Sequence, residues 1–174
     1  QRQQGFNAGT VRVVRGDLTP EQFRGLARVM RGFCGGNART SVEQNIVVRW
    51  VPTGELPAFR AGLEELGLAE VGAGTLADVT ACPGTDSCKL GITSSRGLAA
   101  LLHQKFHNGL GDLSDRQDLK IKISGCFNSC GQHHVADIAA AKRAPLGFCP
   151  AEGGDQAAGI RSARQNGAKA IAED

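Results

Sequence analysis

Two stretches rich in cysteine and glycine, TACPGTDSCKLGIT at 80–93 and SGCFNSCGQHH at 124–134, decide how this chain of 174 residues is interpreted. Each stretch carries one cysteine pair, and the four cysteines are Cys82, Cys88, Cys126 and Cys130. Each pair follows a segment with strand character, and a rigid sheet presents side chains well from the loops at its strand ends. The pattern therefore predicts that four thiols from distant parts of the chain meet at one site.

Four thiolates at one point suit an iron–sulfur cluster, and neighbouring glycines let the backbone come close enough to donate hydrogen bonds to the sulfurs. Gly84, Gly125 and Gly131 meet that need. The alternatives are a structural zinc site and buried free cysteines. Zinc sites usually pair cysteines across two to four residues, whereas five residues separate the first pair here, which favours the cluster. Cys34 and Cys149 stand apart from both pairs and are expected to be incidental or buried thiols.

Composition excludes several other classes of protein. The net charge is only +3, Tyr is absent and there is a single Trp, so the basic, aromatic surface of a nucleic-acid-binding protein is missing. The apolar runs are too short to span a bilayer, and the first residues lack the order of a signal peptide. We therefore expect a cytoplasmic protein without nucleic-acid or membrane partners, whose cysteines are reduced and free to bind metal.

The first 76 residues alternate between strand and helix signals. Strands are predicted at 11–14, 46–51 and 76–80, from β-branched and aromatic residues. Thr19-Pro20-Glu21-Gln22 predicts the start of a helix that runs to about Arg31, and Leu56 to Leu66 predicts a second helix closed by glycine. One buried stripe is expected on the first helix, formed by Phe23, Leu26, Ala27 and Met30.

The second segment begins near the first cysteine pair, with a helix predicted at 94–107 and a strand at 119–124. Together these patterns predict an α+β protein: a ferredoxin-like split βαβ half domain at 1–76, followed by a mixed α/β cluster-binding domain at 77–138. Residues 139–174 contain few large apolar side chains, so they are expected to form a divergent, peripheral and mobile tail. The chain begins with Gln1 and is expected to be an excised piece.

The two cysteine stretches closely resemble the cluster signature of the sirohaem-dependent nitrite and sulfite reductases. The resemblance covers about residues 1–138 and implies that the two pairs hold a 4Fe-4S cluster. It also implies that Cys130 bridges the cluster to the sirohaem iron, and that Asn128 in the same loop helps to bind the cofactors. The pattern Arg39-x-Ser41-x-x-Gln44-Asn45 is similar to a family motif that lies beside the macrocycle, with Ser in place of Thr.

Other side chains near the motifs are candidates on chemical grounds. Sirohaem carries eight carboxylates, and the planar donor fork of arginine suits such anions, although Arg39 could equally be a solvated side chain. Lys120 and Lys122 lie two residues apart on one face of a strand, where they could bind carboxylates or an anionic substrate. The alternative is that this face of the strand is exposed only to solvent. His133 and His134 are weaker candidates for proton donors, because one of two neighbours must point away.

By resemblance, the reaction is the six-electron reduction of nitrite to ammonia or of sulfite to sulfide, with electrons supplied by a ferredoxin or a flavoprotein. Nothing in the sequence selects between the two anions. The chain corresponds to the second repeat of the family, and a first repeat or a second copy of this chain is the expected partner that completes the pocket. The alternative is a non-catalytic iron–sulfur module, or a truncated remnant, without sirohaem.

Overall fold

The computed structural model of the chain describes residues 3–108, 116–142 and 148–150. The chain divides into two compact units, Gln1–Ala73 and Gly74–Asp174, and each has its own apolar core. The boundary predicted from the sequence, after residue 76, lies three residues later than this division. Within the described residues, no helix is both long enough and apolar enough to cross a membrane.

The first unit is a three-stranded sheet with two helices. Its elements are β1 (Phe6–Val11), α1 (Pro20–Phe33), β2 (Ala38–Thr40), β3 (Ile46–Pro52) and α2 (Leu56–Glu64). The strand order is β1-β3-β2, and β3 is antiparallel to both neighbours. Strands β1 and β2 therefore run in the same direction, with α1 connecting them and β3 inserted between them. This is the split βαβ arrangement that the sequence predicts.

Helix α1 begins where its capping residues predict. The Thr19 hydroxyl accepts a hydrogen bond from the Gln22 amide at 3.1 Å, and the Gln22 side chain accepts one from the Thr19 amide at 3.0 Å. Leu26 and Met30 are buried as expected, but Phe23 is 63% exposed, so its predicted place in the buried stripe is wrong. The buried stripe instead runs through Leu26, Met30 and Cys34, with Val29 and Phe33 packed against it, and Ala27 is half-buried.

The core of the first unit lies between the helices and the sheet. Nine side chains form it: Val11, Leu26, Met30, Cys34, Val48, Val51, Phe59, Leu63 and Leu68.

Two predicted strands differ from the structure. The first lies at 6–11 rather than 11–14, because Asn7, Ala8 and Gly9 interrupt its β-propensity and its strand conformation depends on pairing with β3. Residues 76–79 are not a strand, although Leu76 and Val79 are buried in the second core.

In the residues that the structure describes, the second unit is a four-stranded sheet with one α-helix. The strands are β4 (Thr80–Ala81), β5 (Ile121–Ser124), β6 (Ile138–Lys142) and β7 (Phe148–Pro150), and the helix is α3 (Ser95–Asn108). Strands β4, β5 and β6 are parallel neighbours, and β7 is antiparallel to β6. The core of this unit comprises Leu76, Ala77, Val79, Ala81, Ala99, Phe106, Leu119, Ile121 and Ile123.

Strand β6 corrects the prediction of a peripheral tail from residue 139 onward. It pairs with β5 from Ile121↔Ile138 to Ser124↔Ala141, and its other edge pairs with β7. A strand with neighbours on both sides is stabilised by its backbone hydrogen bonds, so the small side chain of Ala139, 7% exposed, is sufficient there. The remainder of the predicted tail, 143–147 and 151–174, lies outside the described residues.

Candidate functional site

The two cysteine loops leave the same edge of the second sheet. Cys82 directly follows β4, and Cys126 lies two residues after the end of β5. The strands are parallel and paired at Ala81↔Ile123, and the Cys82 amide donates to the Ile123 carbonyl at 3.1 Å. Because parallel strands present their carboxyl ends at one edge, the first cysteine of each pair is held on a common support.

The backbones of the two loops interlock. The amides of Ile92 and Thr93, in the first loop, both donate to the Gly125 carbonyl of the second loop at 2.8 and 3.0 Å. A Cβ on Gly125 would lie 2.7 Å from the Gly84 Cα and 2.8 Å from the Thr93 carbonyl oxygen. Gly91 is equally close, because its Cβ would lie 2.7 Å from the Gly84 carbonyl carbon. Glycine at position 125 therefore allows the two loops to approach each other, and glycine at position 91 allows the first loop to fold closely on itself.

Cys82 has surroundings that suit a thiolate. The Gly125 amide donates to its Sγ atom at 3.1 Å. Ser95, at the start of α3, donates its hydroxyl to the Cys82 carbonyl at 2.6 Å and lies 3.4 Å from the same sulfur. A backbone amide directed at sulfur is typical of the protein surroundings of iron–sulfur clusters. Sequence reasoning missed Ser95, although its position at the start of a helix directly after a cysteine loop is a signal that points to it.

The pairs share one pattern of exposure, in which the first cysteine is buried and the second is exposed. Cys82 and Cys126 are 7% and 6% exposed, whereas Cys88 and Cys130 are open to solvent. The Cys88 amide donates to the Gly84 carbonyl at 3.0 Å, which closes a tight turn. Each loop therefore anchors one thiol against the protein and offers the other at its surface.

The two cysteine pairs are the candidate ligands of a metal centre. Within the parts of the chain that the structure describes, no three His, Cys, Asp or Glu side chains converge closely enough to hold one metal ion. The four paired cysteines are among these side chains, so this structure does not bring three of their thiols together around one metal ion. The donor set is four thiols with an amide already directed at one sulfur, and this chemistry fits the protein side of an iron–sulfur cluster.

The predicted macrocycle motif in the first unit has a mixed outcome. Arg39 is exposed on β2, so its guanidinium is accessible. The Ser41 hydroxyl accepts from the amides of Glu43 and Asn45 at 3.2 and 3.3 Å, and the Asn45 side-chain oxygen accepts from the Val13 amide at 2.9 Å. Asn45 is only 2% exposed. The Ser41 side chain therefore shapes its own turn, the Asn45 side chain ties that turn to Val13, and Gln44 has a left-handed conformation with φ 66°.

The two predicted lysines do not share a solvent-facing surface. Lys120 precedes β5, and its ammonium donates to the Gly74 carbonyl. Lys122 lies within β5, is 7% exposed and donates to the Gln132 side-chain oxygen at 2.7 Å. The interpretation of a plain solvent face is therefore wrong for Lys122, because all four residues of β5 are buried. Asn128, in the second cysteine loop, is exposed.

The adjacent histidines lie in a short 3-10 helix rather than on an extended segment, so the expectation that one of them points away is not met. His133 is 5% exposed, whereas His134 is exposed, and the ring centroids lie 4.1 Å apart. Burial lowers the pKa of His133, and the charge of His134 lowers it further.

Of the two outlying cysteines, Cys34 is buried and its sulfur lies 3.2 Å from the Met30 carbonyl oxygen. Burial raises the pKa of its thiol, which suits an uncharged core residue, and Cys149 lies on β7.

Comparison with known families accounts for both units. Residues 1–66 match the nitrite/sulfite reductase ferredoxin-like half domain, and residues 72–160 match the nitrite and sulphite reductase 4Fe-4S domain. The chain is 30% identical over 138 residues to a ferredoxin–nitrite reductase of Synechococcus elongatus, which aligns with 79% of this chain and 26% of the relative. It is 28% identical over 136 residues to a sulfite reductase [ferredoxin] of Mycolicibacterium paratuberculosis. That alignment covers 77% of this chain and 24% of the relative. The chain thus spans about a quarter of these relatives.

Solved structures agree with the sequence comparison. The structure of the Mycobacterium tuberculosis NirA protein matches with a TM-score of 0.67 and 26% identity, over 83% of this chain and 28% of that one. Dissimilatory sulfite reductase I has the same fold, with a TM-score of 0.64, over 78% of this chain and 32% of that one. The family's cofactors are a 4Fe-4S cluster and sirohaem, as the sequence predicts. The domains, the relatives and the fold place this chain in the nitrite and sulfite reductase family.

Proposed function

We propose that Cys82, Cys88, Cys126 and Cys130 bind one 4Fe-4S cluster. The observation that carries this proposal is the interlocked pair of loops at the end of β4 and β5, with the Gly125 amide donating to the Cys82 sulfur at 3.1 Å. Hydrogen bonds from backbone amides to sulfur are a means by which proteins set the properties of such clusters. The match of residues 72–160 to a domain defined by a 4Fe-4S cluster supports the same assignment.

The larger function proposed for the chain is that of the cluster-carrying half of a sirohaem-dependent reductase acting on nitrite or sulfite. The relatives support it, since one is named for ferredoxin and nitrite and another for ferredoxin and sulfite. A ferredoxin or flavoprotein would supply the six electrons. Bound sirohaem would supply the iron at which the substrate anion is reduced.

The chain's own residues would hold and orient the two cofactors. Cys130, exposed at the rim of its loop, is the thiol proposed to lie between cluster and macrocycle, and Asn128 lies exposed in the same loop. Arg39 is exposed and has the donor geometry that suits a carboxylate of the macrocycle. Ser41, Gln44 and Asn45 would act indirectly, by setting the turn that follows Arg39.

We expect iron binding to depend on the four cysteines and not on Cys34. Single serine variants at the four positions should each lose most of the iron and acid-labile sulfide after anaerobic reconstitution, because each removes one thiolate ligand. The matched control is Cys34→Ala, since that thiol is buried in the other unit and should leave the iron content unchanged. Unchanged iron in two or more of the four serine variants would contradict the assignment.

Turnover is proposed to need a partner that supplies positive charge. A small oxyanion that leaves water needs several compensating donors. Lys120 and Lys122 already donate to Gly74 and Gln132, which leaves Arg39 as the exposed cation of the predicted set. The completing partner is the family's other repeat or a second copy of this chain.

A visible absorption spectrum of reconstituted protein separates the two functional alternatives, because sirohaem gives intense bands that a cluster alone does not. An anaerobic assay with a chemical electron donor should then show slow turnover for the chain alone and faster turnover with the partner. Brisk nitrite or sulfite reduction by a sirohaem-loaded monomer would contradict the need for a partner. A loaded cluster without sirohaem binding would favour the non-catalytic iron–sulfur module.

A further inference from the structure

Lys122 is a buried cation with a neutral hydrogen-bond partner. It lies in β5 between a neighbouring strand on each side, and it is 7% exposed. Its ammonium donates to the Gln132 side-chain oxygen at 2.7 Å, and within the described residues no carboxylate pairs with it. Burying a charge without a counter-charge is costly, so its presence in the sheet calls for a physical explanation.

The Lys122–Gln132 bond closes the loop that carries Cys126 and Cys130. The loop leaves β5 at Gly125 and returns to it at Gly131, whose amide donates to the Ser124 hydroxyl at 3.1 Å. Gly131 has no room for a side chain, because a Cβ would lie 2.0 Å from the Ile123 carbonyl oxygen.

Gln132 comes next, in a left-handed conformation with φ 59° that a residue other than glycine rarely adopts. Its amide donates to the Ser129 carbonyl at 2.7 Å, so this strained residue is bound on both its main chain and its side chain. A strained position of this kind persists only where its surroundings hold it in place, and Lys122 is part of those surroundings.

We propose that Lys122 is a positioning residue that ties the second cysteine loop to β5 and places a buried positive charge at the base of that loop. The inference rests on the proposed cluster site. It also revises the role predicted for this lysine, which in the structure is directed to Gln132 rather than available to a macrocycle carboxylate. The charge raises the reduction potential of the cluster, because the reduced cluster carries one more negative charge and a nearby cation stabilises it in a medium of low dielectric constant.

Three variants separate the tether from the charge. Lys122→Met removes both, with an apolar side chain of similar length that suits a buried site. Gln132→Glu keeps a hydrogen-bond acceptor but adds a carboxylate that neutralises the ammonium. Gln132→Leu keeps the charge and removes the tether. Lys105→Met is the matched control, since it makes the same change in net charge at an exposed position of α3.

The charge is tested by a potentiometric titration of the cluster-loaded protein followed by electron paramagnetic resonance. For Lys122→Met and Gln132→Glu we expect the reduction equilibrium constant to fall by about tenfold, which is about 59 mV for a one-electron couple. Gln132→Leu should shift it less, and Lys105→Met should match the parent protein. Equal potentials for Lys122→Met and the parent, at equal cluster content, would overturn this part of the inference.

The tether is tested on cluster-free protein by amide hydrogen exchange in the peptide that spans 125–132. Lys122→Met and Gln132→Leu should accelerate exchange there by at least about tenfold if the tether holds the loop closed. Gln132→Glu should remain close to the parent protein. Unchanged exchange in both tether variants would refute the positioning role. If the parent protein takes up no cluster at all, the proposed function fails and the charge part of the inference fails with it, while the exchange measurement still decides the tether.

Discussion

Gly131 shows how closely the second cysteine loop is packed against β5. The position of its missing Cβ is 2.0 Å from a main-chain oxygen that already takes part in the sheet. A backbone atom cannot move aside as the end of a flexible side chain can, so any side chain at this position must displace the strand or the loop. The contact therefore links a single residue to the geometry of the whole cysteine site.

We expect Gly131→Ala to lower the free energy of unfolding of the second unit by about 1–3 kcal/mol, the usual cost of forcing atoms into a packed site. Urea denaturation followed by circular dichroism measures the change. Gly32→Ala is the control, because Gly32 lies in α1 with nothing within 4 Å of its missing Cβ. That variant should stabilise the protein by up to about 1 kcal/mol through higher helix propensity. A neutral Gly131→Ala would show that the loop is not held by this contact.

His133 should make stability depend on pH. Its pKa is lowered in the folded chain, chiefly by burial, so below about pH 6.5 the unfolded chain binds a proton more readily than the folded chain. The free energy of unfolding should therefore fall as the pH is lowered from about 6.5 through the folded-state pKa of this histidine. His133→Gln should flatten this dependence in urea titrations between about pH 5.5 and 8. His107→Gln, at an exposed position of α3, should leave the slope unchanged, and an equal slope in both variants would contradict the assignment.

Among the secondary-structure elements, the stability of α1 depends on the capping hydrogen bonds of its first turn. Thr19 and Gln22 exchange hydrogen bonds across the start of the helix, so two amides that the helix itself leaves unpaired have partners. Thr19→Ala should cost about 0.5–2 kcal/mol of stability, whereas Thr19→Ser keeps the hydroxyl and should stay near the parent protein. Thermal denaturation of the three proteins measures the difference. Equal losses in the alanine and serine variants would point to the methyl group rather than the hydrogen bond.

The whole molecule should unfold in two parts. The cores of the two units share no residue, and the single tryptophan, Trp50, lies in the first unit. Tryptophan fluorescence should therefore follow the first unit alone, whereas far-ultraviolet circular dichroism follows both. Leu26→Ala, which opens a cavity at a residue that is 2% exposed, should lower the stability seen by fluorescence by about 2–5 kcal/mol.

A piece comprising residues 1–73 provides a second test of this independence. It should retain a cooperative fluorescence transition, because its core is complete within those residues. Such a small domain is only marginally stable, so the transition is expected at low denaturant concentration. Loss of any cooperative transition in this piece would show that the first unit needs the second in order to fold.

Several secondary-structure elements can be predicted from the local sequence. The cap at Thr19, the helix periodicity of α1 and α3 and the β-branched run of β3 each predict their element to within a few residues, because the signals lie inside the element itself. The cysteine spacing likewise predicted two loops that follow strands, and those strands are parallel neighbours. The family resemblance of the same motifs was confirmed by the domain matches.

Other features were decided by tertiary structure, since they depend on pairing between residues far apart in the chain. The segment from Ala139 offers almost no bulky apolar side chains, yet it forms a central strand because β5 and β7 satisfy its backbone on both sides. Lys122 is typical of an exposed strand residue in the sequence, but all of β5 is buried in the folded unit, and the Lys122 ammonium donates to Gln132. By itself the sequence determined the helices, the strand β3 and the identity of the four thiols. Only the tertiary structure determined which of the surrounding residues are buried, because burial depends on neighbours that are distant in the chain.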